Sequence, residues 1–133
     1  MKLLKWKNQD KSISYRLFET NKQAQKWIKA LSRVGLHARI VDINDEVDRI
    51  EFCIRQMLLS IETCKGWIKE YTLDLQSLLQ SNNDYCSNEY AKLIKKLNER
   101  HNKVKNLELR INDCNNKLLQ INPEYSFLKF SID

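Results

Sequence analysis

Four cations stand at helical spacing near the start of the chain: Lys22, Lys26, Lys29 and Arg33, at steps of four, three and four. At about 100° per residue, such steps return to one face of an α-helix, so the four charges form a ridge. No acid interrupts it, and a row of cations can follow a phosphate backbone without reading bases. The plainer reading is a solvated face, since lysine is common on exposed helices. More cations fall in flanking runs of strand composition. If Leu4 and Trp6 face the helix, Lys5 and Lys7 face away. If Tyr15 and Leu17 face it, Arg16 and Phe18 face away, and His37 and Arg39 join them from a third run. Cations interleaved with an aromatic suit single-stranded nucleic acid, which binds by charge and stacking. The competing reading is that other elements of the chain cover this face.

Catalytic chemistry finds little support. The two glycines, Gly35 and Gly66, supply no phosphate-cradling loop. His37 and His101 fall on separate elements. The four cysteines, Cys53, Cys64, Cys86 and Cys114, form no C-x-x-C pair and have no histidine at finger spacing. They read as reduced thiols packed as small apolar groups. No enzyme activity, catalytic residue, cofactor or metal is expected.

The elements that must position the cations follow from periodicity. Residues 2–8 and 13–19 read as two strands joined by the turn-like Asn8-Gln9-Asp10-Lys11-Ser12. Thr20-Asn21-Lys22-Gln23 matches a capping box, and the helix it opens should end at Gly35. Ala24, Ile28 and Leu31, flanked by Trp27 and Val34, form its apolar face. Residues 36–43 read as a third strand, and a strand–helix–strand connection implies a parallel crossover.

From Ile43 the period changes. Apolar residues recur at alternating steps of four and three from Ile43 through Ile54, Ile61 and Ile68 to Leu78, a heptad seam. Asn44 can cap this helix, and Asp45, Glu46 and Asp48 suit its N-terminal dipole. Ser81-Asn82-Asn83-Asp84 reads as a turn. A second seam runs from Tyr90 through Leu107 to Ile121 and is broken only by Arg100, expected to reach Glu70 or water. Each helix should be roughly 50 Å long at 1.5 Å per residue. A short connection makes them antiparallel neighbours, an arrangement that brings Cys53 near Cys114 and permits a disulfide. The tail, Glu124 to Ile132, has strand composition and should return beside the third strand.

The expected fold class is therefore α+β. A basic ββαβ head spans residues 1–43, an antiparallel coiled-coil hairpin spans 44–122, and a closing strand spans 123–133. Of the net charge of +6, residues 1–43 contribute +7, from ten lysines and arginines against three acids, so the positive field belongs to the head. Hydrophobic residues at 42% and charged residues at 30% are ordinary for a folded chain and argue against disorder. No apolar run approaches the ~18 residues that span a bilayer, and the basic start lacks the apolar core of a signal peptide. A cytoplasmic protein without membrane contact is expected.

One surplus remains. Phe52, Leu59 and Leu73 share a heptad position off the seam, and Leu58 and Leu79 share the next. Two helices cannot bury a second stripe by themselves, so either the head covers part of it or another molecule does. A homodimer with a four-helix bundle is the simplest solution. The sequence thus predicts a non-enzymatic binding or scaffold protein. Its hairpin contacts protein, and its head contacts nucleic acid through Lys22, Lys26, Lys29, Arg33, Lys5, Lys7, Arg16 and Arg39. The alternative is an adaptor or inhibitor whose basic head docks an acidic protein partner.

Overall fold

The computed structural model describes residues 1–82 and 88–123. It is α+β and mostly helical: β1 (Lys2–Lys7), β2 (Ile13–Phe18), α1 (Asn21–Arg33), β3 (Ala38–Val41), α2 (Ile43–Asn82) and α3 (Asn88–Ile121). The strand expected over Glu124–Ile132 lies outside the described residues, as do Cys86 and the second half of the turn expected at Ser81–Asp84, whose first two residues instead end α2. The chain divides into two compact units, and the division runs through both long helices. One unit holds residues 1–54 with α3 from Asn112 onward; the other holds Arg55–Ile111.

In the first unit, β1 is the central strand, antiparallel to β2 on one side and β3 on the other. β2 and β3 therefore run in the same direction, with α1 as the crossover between them and β1 inserted in the gap. The hairpin turn holds Lys11 at φ 72°, with Asn8 N–H donating to Ser12 O at 2.8 Å. Asn8 also accepts from Trp6 Nε1 and donates to Ser14 Oγ, so one side chain ties both strands to the turn.

α1 is capped as its sequence implies. Thr20 Oγ1 accepts the Gln23 N–H at 3.3 Å. At the other end Gly35 takes φ +82°, Leu36 N–H donates to Leu31 O and Gly35 N–H donates to Ser32 O, which completes a Schellman motif. α2 is capped earlier than expected. Asp42, not Asn44, accepts the Asp45 N–H through Oδ1 at 2.9 Å, because the helix already begins at Ile43.

The sheet has two covered faces. On one, Leu4, Phe18 and Ala24 form a core with Trp6, Trp27, Ile28, Leu31, Ala38 and Ile40 packed around it. On the other lie Leu3, fully buried, and Tyr15, which is tied to the start of α2 through Glu46 and to the end of α3 through Gln120. Here Glu46, 6% exposed, accepts hydrogen bonds from Lys5 Nζ at 3.2 Å, from Tyr15 Oη at 2.9 Å and from Arg49 one turn along. Gln120 of α3 accepts the outward backbone N–H of Tyr15 at 3.0 Å, which satisfies a donor on the edge strand β2.

The Arg55–Ile111 unit is a helical hairpin. Met57, Ile61 and Cys64 of α2 and Leu107 and Ile111 of α3 are its buried seam. Direction follows from two cation–aromatic contacts. Arg100 lies over the Trp67 ring at 5.7 Å and Lys96 over the Tyr71 ring at 5.5 Å, so α3 ascends as α2 descends. Trp67 and Tyr71 stack at 5.6 Å. Arg100 thus meets an indole face rather than Glu70 or water alone, and the seam accommodates a guanidinium because its planar cation is attracted to the ring.

Burial pushes the Glu46 carboxyl up, but hydrogen bonds from Arg49, Tyr15 and Lys5 outweigh it and hold the group below the ordinary glutamate range. Burial and the neighbouring carboxylate push the Tyr15 hydroxyl well above its usual range. A carboxyl with a depressed folded pKa stabilises the fold fully above its unfolded value, about 4.3. That contribution is lost as pH falls through the lower, folded value. Urea denaturation between pH 7 and pH 3 should show this loss in the wild type, and Glu46→Gln should flatten it. At neutral pH the same substitution leaves Lys5 without its counter-charge and should cost about 2–4 kcal/mol.

Candidate functional site

The four cations of the α1 ridge, Lys22, Lys26, Lys29 and Arg33, are all exposed, and no described residue forms an ion pair with any of them. The arrangement follows from the helix itself: its apolar face packs on the sheet, so the cationic stripe must point to solvent. The cations of the strands do not form the single patch expected from alternation. Lys5 is held by Glu46 beneath the sheet, with its side chain 13% exposed. Lys7 and Arg39 share that face of the sheet but remain exposed.

Arg16 and Phe18 are on the opposite face, the one that α1 covers, which corrects the expectation that they face away from the helix. The register explains it. Leu4 stands opposite Arg16 and Lys2 opposite Phe18, so Arg16 shares the face of Leu4 while Tyr15 shares that of Lys5. Alternation tells which residues of a strand share a face, and only the pairing register tells which face the helix occupies.

This correction brings together two groups that the sequence keeps apart. The Arg16 guanidinium lies over the Trp27 ring at 4.4 Å and over the Phe18 ring at 5.7 Å. Trp27 in turn stacks on Trp6 at 6.5 Å and contacts Phe18 at 5.8 Å. A groove of about 520 Å³ opens here, lined by Arg16, Phe18, Glu19, Gln23, Lys26 and Trp27. Lys26 belongs both to the ridge and to the groove. A cation layered on an indole can receive a further planar group on its outer face, and Lys26 sets a second positive charge beside it. Periodicity places Trp27 on the apolar face of the helix and gives it no part in a site. Its position beside Lys26 is the signal in the sequence that could have found it.

Among the apolar residues expected to meet a partner, Phe52 is 58% exposed in the first unit. In the second, Leu59 is 58% and Leu73 53% exposed, whereas Leu58 and Leu79 are half-buried. Leu109 of α3, 63% exposed, belongs with these and was missed by the heptad pattern, although it lies two residues from each of the seam positions Leu107 and Ile111. Trp67, 41% exposed, is held by Arg100 and Tyr71.

Cys53 is an exposed thiol, Cys64 a buried one and Cys114 a half-buried one; the disulfide between Cys53 and Cys114 that the hairpin permits is not formed. Among the described residues no three His, Cys, Asp or Glu side chains gather as metal ligands. No described helix is long and apolar enough to cross a membrane. Comparison with known proteins finds no matching family model, curated protein or solved structure.

The groove separates structural from available groups, and stability measurements should reflect it. Trp27→Ala removes the aromatic that joins Trp6 to Phe18 and should cost about 3 kcal/mol in urea denaturation. Arg16→Ala removes an exposed cation–aromatic contact and should cost about 0.5–1 kcal/mol.

Proposed function

We propose that this is a non-enzymatic, cytoplasmic binding protein whose basic head contacts nucleic acid without sequence preference, while its hairpin, packed as an antiparallel coiled coil, contacts protein. The observation that carries the first half is the meeting of Arg16, layered on Trp27, with Lys26 of a cationic ridge that forms no ion pair with any described residue. Phosphate contacts from Lys22, Lys26, Lys29 and Arg33 supply affinity and no base information. The guanidinium–indole layer accepts any base, because every base has a π-face. That combination favours a single strand, whose bases are free to stack, over a duplex, whose bases are already paired. Lys7 and Arg39 stand on the other face of the sheet and add to the general positive field rather than to this surface. Lys5 serves the fold.

The test is binding of a fluorescent oligothymidine as salt is varied. The wild type should bind with an affinity that falls steeply with salt. Replacing Lys22, Lys26, Lys29 and Arg33 together with glutamine should weaken binding. It should also reduce the slope of log affinity against log salt by roughly 0.7 for each phosphate no longer neutralised. Arg16→Ala should weaken binding to the single strand more than to a duplex of equal length. A wild type without salt-sensitive binding to either would sink the proposal. Retention of an acidic protein after nuclease treatment would instead favour an adaptor.

A further inference from the structure

Within the Arg55–Ile111 unit, Leu59, Gly66 and Leu73 follow one another at intervals of seven along α2. Residues seven apart drift only about 20° around a helix, so the three fall on one line. Each lies two residues from seam positions on either side, so the line runs down the face opposite the buried Met57, Ile61 and Cys64. Both leucines are more than half exposed. The glycine between them is the anomaly. A mid-helix glycine costs roughly 1 kcal/mol relative to alanine. Gly66 does not take a left-handed conformation, and a Cβ built on it would meet nothing within 4 Å. No contact among the described residues therefore requires glycine there, whereas another backbone approaching that face would.

The surroundings of Gly66 are self-complementary. The leucines stand seven residues before and seven after it. Glu62 precedes it by four and Lys69 follows it by three, both exposed and on the same flank of the line. A two-fold axis perpendicular to the helix at Gly66 brings like flanks together. It sets Leu59 beside Leu73 of the other copy, and Glu62 beside Lys69 of the other copy, twice. We propose that this face of α2 pairs antiparallel with the same face of a second copy of the chain, about a two-fold axis beside Gly66. An isologous contact of this kind needs one surface to complement itself, which an apolar pair spaced evenly about a side-chain-free centre and flanked by opposite charges achieves. The inference rests on the reading of the hairpin as a protein-contact element and gives it an occupant and a register.

Sedimentation of the full chain over a range of micromolar concentrations tests both. The wild type should be a dimer. Glu62→Lys alone, or Lys69→Glu alone, places like charges opposite one another at both ends of the contact and should weaken dimerisation by roughly tenfold. The double variant Glu62→Lys/Lys69→Glu should restore it, since the two residues lie too far apart along one helix to interact with each other. Gly66→Ile should abolish the dimer while far-UV circular dichroism shows the helices retained. A dimer indifferent to all four variants would overturn the register and leave the hairpin's role in protein contact standing. A wild type that stays monomeric throughout would overturn the second copy as occupant and the register with it.

Discussion

The Glu46 carboxylate lies at the junction on which the first unit depends. It sits in the first turn of α2, where the helix dipole already favours an anion, and it is almost fully removed from water. A lone buried charge is costly, so its three donors are a requirement of the position. They come from β1 (Lys5), β2 (Tyr15) and α2 itself (Arg49). Meeting that requirement fixes which face of the sheet carries Glu46 and the start of α2. Gln120, which accepts the Tyr15 backbone N–H, brings the end of α3 to the same face.

The distribution of charge over the head follows from that choice. One cation, Lys5, is withdrawn into the interior, and the residues that alternate with it are turned towards α1. Arg16 consequently emerges beside a tryptophan of the helix rather than beside Lys5 and Arg39. While Lys7 and Arg39 stay in solvent on the other face, Arg16 and the ridge cations gather along α1 and at its border with β2. They adjoin aromatic rings that the fold needs for its own core. A surface of cations backed by a rigid aromatic cluster presents its groups with little conformational freedom left to lose, which favours binding.

Much of this was legible in the residues. The capping box at Thr20, the left-handed Gly35 and the heptad steps of the long helices set the limits of α1, α2 and α3 to within a few residues, because each is a local signal. What periodicity could not supply was pairing. The position of β1 between β2 and β3, and hence the face taken by Arg16, depends on non-local register. The partner of Arg100 was missed because Trp67 stands on the flank of its seam, where its ring reaches across to a guanidinium one helix away. The buried role of Glu46 was hidden for a related reason: at a helix start, an acid that complements the dipole and an acid that anchors a sheet look alike in sequence.

The central claim, that the face of α1 with Arg16 receives nucleic acid, is tested most directly by titrating isotope-labelled protein with oligothymidine at low salt and following its backbone amide and indole resonances. Shifts should concentrate at Arg16, in α1 from Lys22 to Arg33 and at the Trp27 indole, with residues 55–80 unmoved. Shifts confined to the long helices, or none at all, would contradict it.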